Sequence, residues 1–117
     1  MKDGSYAYDG LDRVLHERAR LSILTALSTA AQGHSFGDLK RLCDLTDGNL
    51  NRHLKVLEEA KYVKITKRGG GRSSETRVSM SSAGRRSFVT YLEELERVLR
   101  DARGLEAEGG TGRAALT

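Results

Sequence analysis

The apolar side chains in residues 11–31 recur at the spacing of one face of a helix, with a stripe wide enough to be buried. Gly33 follows shortly afterwards as a stop signal. The sequence therefore predicts a first helix over residues 11–31. Its inward positions are Leu11, Val14, Leu15, Leu21, Leu24 and Leu27, with Ile23 beside them.

A second, shorter helix is predicted at about residues 36–43. Ser35 is a plausible N-cap, and the acidic Asp38 three residues later gives a weak capping-box pattern. The apolar spacing predicts that Phe36, Leu39 and Leu42 point inward. The short turn "CDLT" then separates this helix from the next one.

The third predicted helix begins after Thr46, a good N-cap, and carries leucines at i, i+4 and i+7 that must face the core. Its first turn is rich in glycine and asparagine, which are poor helix formers. Poor helix formers at the start of a helix suggest that these residues are there to form a binding surface and not to stabilise the helix. The inward residues are Leu50, Leu54 and Leu57; the outward ones are Gly48, Arg52, Lys55 and Glu59, with Asn49 and Asn51 on the flanks.

The hydrophobic period changes from helical to twofold after Lys61. "YVKIT" alternates Val63 and Ile65 with polar residues, and "TRVSM" alternates Val78 and Met80 in the same way. The intervening "KRGGGRSSE" contains three consecutive glycines that allow a flexible turn. The pattern predicts a basic β-hairpin with a mobile tip.

A long helix is predicted from about residue 82 to residue 102. Its apolar residues step by 4, 3, 4 and 3, which is a heptad seam. So small a domain hardly needs so long a stripe, so part of it is expected to pack on a second copy; packing on helix one alone is the alternative. The expected dimer surface is Leu11, Leu15, Phe88, Tyr91, Leu92, Leu95, Val98 and Leu99.

Charge is distributed unevenly along the 117 residues. The net charge is +4, and the whole excess lies in residues 35–80, where 10 basic side chains face 6 acidic ones. The flanking parts, residues 1–34 and 81–117, are each balanced. A basic segment in an otherwise neutral chain indicates a surface that binds a polyanion; a solvated charged loop is the alternative.

The order helix, helix, turn, helix, basic hairpin, helix predicts an α+β, mainly helical fold: a winged helix-turn-helix with a three-helix core and a long C-terminal dimerisation helix. The third helix then enters the major groove of DNA, where asparagine suits adenine and arginine suits guanine. The hairpin is a wing that enters a minor groove or follows the backbone. The candidate DNA-binding residues are Ser35, Thr46, Gly48, Asn49, Asn51, Arg52, Lys55, Lys64, Lys67, Arg68, Arg72 and Arg77.

From Asp12 to about Leu95 the chain resembles small winged-helix transcriptional regulators related to the MarR and ArsR groups. The resemblance rests on "LDRVLHERARLSIL", "HSFGDLKRL", "LTDGNLNRHLKVLEEAKYV", "GGGRSSETRVSMSSAGR" and "YLEELERVL". It implies a homodimer in which the first and last helices of both copies pack together on a pseudo-palindromic DNA site. The half-sites would then be spaced by roughly 34 Å, about one DNA turn.

The sequence departs from this resemblance in two places. Lys61 stands where the family usually has glycine after the recognition helix, which bears on the helix end and not on the fold. ArsR-like metal sensors carry a Cys-x-Cys-Asp pattern whose cysteines would fall at Ser35 and Gly37. The three histidines are scattered, so no metal site is expected, and His53 is expected to be packed or hydrogen-bonded.

Other classes of protein fit less well. No nucleophile elbow, phosphate loop or metal triad argues for an enzyme, and no cofactor is expected. A winged helix that binds protein is the alternative, although its third helix should then expose apolar or acidic residues. An effector is unknown; Tyr6, Tyr8 and Tyr91 are candidates to gather around one at the dimer interface.

The remaining expectations concern location and domain limits. The longest uncharged run contains polar residues and is not a membrane span, and the N-terminus lacks the apolar core of a signal peptide. The single cysteine, Cys43, cannot form an internal disulfide and is expected to be a half-buried, inert thiol, with a redox role as the alternative. These features predict a cytoplasmic protein with an arm at residues 1–10, a winged-helix domain at 11–103 and a flexible tail at 104–117.

Overall fold

The computed structural model describes residues 3–69 and 75–104. Within these residues, no helix is both long and apolar enough to span a bilayer. Helices and a small sheet alternate in the predicted order, with one additional strand. The elements are α1 (Arg18–Ser28), β1 (His34–Ser35), α2 (Phe36–Cys43), α3 (Asp47–Glu59), β2 (Val63–Arg68), β3 (Glu75–Met80) and α4 (Ser82–Ala102).

The first helix is shorter than predicted, because residues 11–17 form turns instead of helix. Glu17 has an extended backbone and caps α1 by accepting a hydrogen bond from the Arg20 N–H. Before it, Asp12 Oδ1 accepts a 2.7 Å hydrogen bond from the Val14 N–H and holds a separate turn. Leu15 is nevertheless fully buried. Because the apolar residues continue through this turn, their spacing in the sequence resembled that of a longer helix.

α2 and α3 form the predicted helix-turn-helix. Ser35 Oγ accepts from the Asp38 N–H at 3.1 Å, and Thr46 Oγ1 accepts from the Asn49 N–H at 3.2 Å. Both N-caps are therefore confirmed. Between the helices, Asp44 adopts a left-handed conformation with φ 55° and ends α2. Asparagine and aspartate tolerate this region better than most side chains, which suits the tight turn.

The helix α3 also ends through a left-handed residue, although that residue is Lys61 with φ 70°. The N–H of Lys61 donates to the Glu58 carbonyl and that of Tyr62 to the Leu57 carbonyl, each at 2.9 Å. This pair of hydrogen bonds is a Schellman motif. The motif thus forms without the expected glycine, at the cost of backbone strain in a lysine.

The sheet has three antiparallel strands in the order β1-β3-β2. The predicted hairpin pairs Val63 with Met80 and Ile65 with Val78, so the apolar residues share one face. The strand β1 was not predicted from the sequence; it is two residues long and pairs His34 with Val78. Gly33 precedes it with φ 80°, and a Cβ there would lie 2.2 Å from the Val78 carbonyl oxygen.

The core lies between the helices and the inner face of the sheet. The three leucines predicted to point inward from α3 are all buried, and so is Leu39 of α2. The prediction for Leu42 is wrong, because its side chain is 50% exposed. The helix α2 has only eight residues, and of its apolar side chains Leu39 is the one that is fully buried, so Leu42 lies at the edge of the covered face.

The long helix α4 is confirmed and is capped by Ser81, whose Oγ accepts from the Gly84 N–H at 2.9 Å. Its first turn packs tightly on the end of α3, since a Cβ at Gly84 would lie 2.1 Å from the Tyr62 carbonyl oxygen. That carbonyl also accepts a 3.0 Å hydrogen bond from the Ser81 N–H. The contact joins the turn after α3 to the start of α4.

The expected dimer surface divides into two groups. Leu15, Phe88 and Tyr91 are buried in the chain's own core, so their assignment to an exposed interface is corrected. Leu15 lies in the turn before α1, and Phe88 and Tyr91 lie on the face of α4 that packs inward. An apolar seam in the sequence does not distinguish packing within one chain from packing against a partner. Leu92 and Leu99 are 42% and 49% exposed, while Leu11, Leu95 and Val98 are partly buried.

The N-terminal arm lies along the second half of α4. The Tyr8 hydroxyl donates a 2.8 Å hydrogen bond to Asp101 Oδ2, and the Gly10 N–H donates to Glu94 Oε2 at 3.1 Å. The guanidinium of Arg97 lies 5.2 Å from the centre of the Tyr8 ring, a cation–π distance. The described part of the arm is therefore bound to α4. Of the predicted tail, residues 105–117 lie outside the described residues.

Candidate nucleic-acid interface

The outward face of α3 is free of large apolar side chains; it is polar and basic from Gly48 to Lys55 and acidic at Glu59. Its buried face carries the leucines and His53, so the opposite face is presented to solvent by the helical period. None of the residues predicted to face outward is buried. The exposed residues are Gly48, Asn49, Asn51, Arg52 and Lys55, with Asp47 at the start of the helix and Glu58 and Glu59 at its end.

Gly48 occupies a position that the fold itself does not require to be glycine. No atom lies within 4 Å of the place where its Cβ would be, and its φ is not positive. Gly37 has the same open surroundings at the matching position of α2, one residue after the first helical residue. Because Gly48 has no side chain, nothing protrudes from the start of α3 at this position, and the wall of a groove can approach the helix backbone.

Ser35 and Thr46 are the N-caps of α2 and α3. The hydroxyl oxygens of Ser35 and Thr46 accept from backbone N–H groups, which leaves each hydroxyl proton available to an outside acceptor. The positive end of a helix dipole adds attraction for an anion. Both residues therefore combine a structural role with suitability for phosphate.

An ion pair that the sequence analysis missed links the two helices. Lys40 Nζ lies 2.8 Å from Asp47 Oδ1, and both side chains are largely exposed. Asp47 sits in the first turn of α3, and Lys40 compensates its negative charge. Sequence spacing gave no signal for this pair, because the seven-residue separation spans the turn between the helices.

The wing has exposed cations on both faces of its strand β2. Lys64, Lys67 and Arg68 are exposed; Lys64 pairs with Ser79, and Arg68 with Glu75, in the register of the sheet. Lys67 lies on the same side of the strand as Ile65. The predicted wing contact Arg72 is in residues 70–74, which lie outside the described residues.

Arg77 differs from the other wing cations because its guanidinium is bound within the chain. Its Nε donates to the Gln32 carbonyl at 3.1 Å, and its Nη1 lies 2.9 Å from Glu75 Oε2. The side chain is half-buried. These contacts tie β3 to the loop before β1, and the phosphate contact expected of Arg77 stays a prediction.

His53 is buried on the flank of α3, as expected, with 3% of its surface exposed. Its Nδ1 lies 3.3 Å from Arg20 Nη1, its Nε2 lies 3.4 Å from Arg52 Nη2, and the same Nε2 lies 3.8 Å from Glu17 Oε2. Burial lowers the pKa of His53 below its usual value; Glu17 opposes this effect, and the two arginines add to it. The ring is therefore neutral at neutral pH.

The remaining candidate groups are separate from this face. Cys43 is half-buried, and burial raises the pKa of its thiol, which disfavours the reactive thiolate. Tyr6 and Tyr8 lie together, with ring centres 6.4 Å apart, whereas Tyr91 is buried and packs against the exposed His16. In residues 3–69 and 75–104, no three His, Cys, Asp or Glu side chains converge as a metal site would require.

Comparison with known proteins gives relatives along most of the chain. An uncharacterized protein from Methanocaldococcus jannaschii is 34% identical over 83 residues, which cover 71% of this chain and 89% of that protein. A transcriptional regulator homologue from Pyrococcus horikoshii OT3 has a TM-score of 0.72 at 28% identity, with 78% of this chain and 89% of that chain covered.

A more distant structure carries DNA. The M. tuberculosis transcriptional regulator MosR, solved in complex with DNA, has a TM-score of 0.63 at 19% identity and covers 93% of this chain and 84% of its own. At that identity the likeness concerns the fold. The model of the family described as "Winged helix DNA-binding domain" matches residues 19–99, from α1 to the last turns of α4. The chain therefore belongs to the winged-helix DNA-binding domain family.

Proposed function

We propose that this protein is a sequence-specific regulator of transcription that binds double-stranded DNA as a homodimer. The observation that carries the proposal is the exposed surface of α3 from Gly48 to Lys55, which carries asparagine, arginine and lysine and neither apolar nor acidic side chains, at the position where a winged helix enters the major groove. A protein-binding winged helix would be expected to expose apolar or acidic residues there.

The roles of the α3 residues follow from their chemistry. Asn49 and Asn51 carry an acceptor and a donor together, which matches the N7 and N6 edge of adenine. Arg52 offers paired donors to the O6 and N7 of guanine. Lys55 lies farther along the helix, where a phosphate contact is more natural than a base contact. Specificity is therefore assigned to the first two turns of α3.

Positioning is assigned to the wing and the helix caps. Lys64, Lys67 and Arg68 are exposed cations on the described part of the wing, and each contact to a phosphate releases counterions. Ser35 and Thr46 add neutral hydroxyl contacts at helix N-termini. These contacts carry no base information, so they fix the register in which α3 reads the groove.

The homodimer is proposed to form through the exposed apolar face of α4. Val89, Leu92 and Leu99 are 47%, 42% and 49% exposed on that one helix. A run of exposed large apolar side chains on a single helix is characteristic of an association surface. Pairing of α4 would place two copies of α3 on half-sites separated by about one DNA turn, roughly 34 Å.

The first experiment is fluorescence-anisotropy binding to a selected DNA pool and to random duplex over a range of salt, with the mass in solution measured in parallel. The proposal expects a dimer whose binding is salt-sensitive and tighter on the selected pool, with two half-sites one turn apart. Absence of binding at low salt would overturn it and favour a protein-interaction module.

The dimer surface has its own test with a matched control. Replacing Leu92 or Leu99 by glutamate places a charge in the proposed interface and should give a monomer with weakened DNA binding. Leu42→Glu changes another half-exposed leucine away from α4 and should leave the dimer intact. A dimer that survives both α4 substitutions would place the interface elsewhere.

A further inference from the structure

His53 has an unusual place among the described residues of the recognition helix. It is the one buried polar or charged side chain in the described residues, and it neighbours Arg52, the proposed base-reading arginine. Its ring lies between two guanidinium groups, with Arg20 at Nδ1 and Arg52 at Nε2. Arg20 is itself held in place, because its Nε donates a 2.6 Å hydrogen bond to the Val14 carbonyl.

The chemistry of this arrangement allows only one arginine to be bound at a time. A guanidinium has donors and no acceptor, and a neutral imidazole has one lone pair. Arg20 therefore binds when the lone pair is on Nδ1, and Arg52 binds when it is on Nε2. In the first case the Nε2–H points toward Glu17, whose carboxylate lies 3.8 Å away.

We propose that His53 is a positioning residue for Arg52. In the free protein, the Nε2 lone pair of His53 accepts a hydrogen bond from the Arg52 guanidinium and holds it against the flank of α3; on DNA binding, the guanidinium leaves the ring and contacts the DNA. This inference rests on the proposed function, because it assigns a partner to the arginine that reads DNA. When Arg52 moves to the groove, the lone pair shifts to Nδ1 for Arg20, and the Nε2–H turns to Glu17.

The same geometry links DNA binding to protonation of the His53 ring. A protonated ring has donors at both nitrogens, so it binds neither arginine and pairs with Glu17 instead. The charged groups that face the ring are Glu17 and Arg20 from the α1 side and Arg52 from its own helix. DNA binding withdraws Arg52 and brings phosphate charge nearer, and both changes favour the protonated ring. Affinity for DNA should therefore rise as the pH falls.

The first test measures the affinity for selected DNA between about pH 6 and pH 8, the range in which histidine responds. Binding linked to a single proton changes by at most about tenfold per pH unit, and we expect about threefold or more across the range in the wild-type protein. His53→Gln keeps a donor and an acceptor near the Nε2 position but cannot titrate, so its profile should be flatter. An identical pH profile in wild type and His53→Gln would overturn the proposal.

Two other histidines provide matched controls. His16 is exposed and contacts Tyr91, and His34 lies on β1 with its Nε2 near the Ala26 carbonyl. Neither ring hydrogen-bonds to α3 within the part of the chain that the structure describes. His16→Gln and His34→Gln should both retain the wild-type pH profile, and a flattened profile in either would assign the proton to another site.

The second test needs no DNA and no variant at His53. Nitrogen-15 NMR of the imidazole reports which ring nitrogen carries the proton. Arg52→Met should raise the fraction of rings with the lone pair on Nδ1, whereas Lys55→Met, a neighbouring exposed cation of α3, should leave it unchanged. An unchanged ring in Arg52→Met would overturn the positioning role even if DNA binding holds.

The two tests separate the failure of this inference from the failure of the proposed function. If the wild-type protein binds no DNA while Arg52→Met changes which ring nitrogen of His53 carries the proton, the proposed regulator function is wrong and the contact between Arg52 and His53 is supported. If the protein binds DNA with specificity, while Arg52→Met leaves the His53 ring unchanged and His53→Gln leaves the pH profile unchanged, the proposed regulator function is supported and His53 is only a core residue.

Discussion

The hydroxyl of Tyr62 donates a 2.7 Å hydrogen bond to Asp12 Oδ2, which connects the turn after the recognition helix to the segment before α1. The other carboxylate oxygen, Asp12 Oδ1, accepts from the Val14 N–H. Tyr62 also receives the close packing of α4, because Gly84 lies against its carbonyl group. One tyrosine thus joins the end of α3 to both flanking parts of the chain.

Removing this hydroxyl should lower stability without changing the fold. A hydrogen bond to a charged group contributes about 1.5–3 kcal/mol, so we expect Tyr62→Phe to lower the free energy of unfolding by about 1–2 kcal/mol. Urea denaturation measures the loss. Tyr6→Phe is the control, because Tyr6 is largely exposed and should change stability little. Equal losses in the two variants would contradict the role of the Asp12 contact.

Replacing Gly48 by alanine should separate stability from DNA binding. Both Gly48 and Gly37 have room for a methyl group in a first helical turn, so each change to alanine should add roughly 0.5 kcal/mol of stability. If the start of α3 approaches the groove wall closely, Gly48→Ala should nevertheless weaken specific binding. Thermal unfolding and anisotropy measure the two effects, and unchanged affinity in Gly48→Ala would show that no close approach is made there.

The left-handed conformation of Lys61 predicts a stabilising substitution. A side chain in this region costs about 1–3 kcal/mol, and glycine has no such cost, so Lys61→Gly should raise the free energy of unfolding by about 1 kcal/mol. Lys61→Ala removes the charge while keeping a Cβ and should give no such gain. If alanine stabilises as much as glycine, the effect belongs to the lost charge.

The division between base-reading and positioning residues predicts different losses in matched arginine and lysine variants. Arg52→Ala should weaken specific binding by about 1–3 kcal/mol and relax base preference at one position. Lys67→Ala should weaken specific and random DNA equally and reduce the slope of log affinity against log salt by about 1. Anisotropy on both kinds of DNA measures this. Equal loss on both in Arg52→Ala would remove it from base readout.

The lowered pKa of His53 predicts that stability depends on pH. Because burial keeps the folded ring neutral, the unfolded chain takes up its proton first, near the ordinary histidine pKa of about 6.5. The free energy of unfolding should therefore be at its full value above that pH and fall as the pH drops toward the folded-state pKa. Urea denaturation at several pH values measures the slope, which should be smaller in His53→Gln.

The helices and strands with a long, regular pattern were predictable from the sequence alone. Leu50, Leu54 and Leu57 defined the buried face of α3, and the alternation around Val63 and Val78 defined the hairpin. The N-caps Ser35 and Thr46 were also readable, because a cap bonds to a backbone group only three residues away. These features are local, so the side-chain order along the chain determines them.

Only the tertiary structure decided the features that depend on distant neighbours. The strand β1 exists because β3 supplies its partner, and α1 starts late because Glu17 and Asp12 cap separate turns under one apolar stripe. Periodicity assigned Tyr91 to a dimer seam, yet the fold buries it beside His16. A pattern of apolar spacing records that a side chain is covered, and only the packing of the elements determines which atoms cover it.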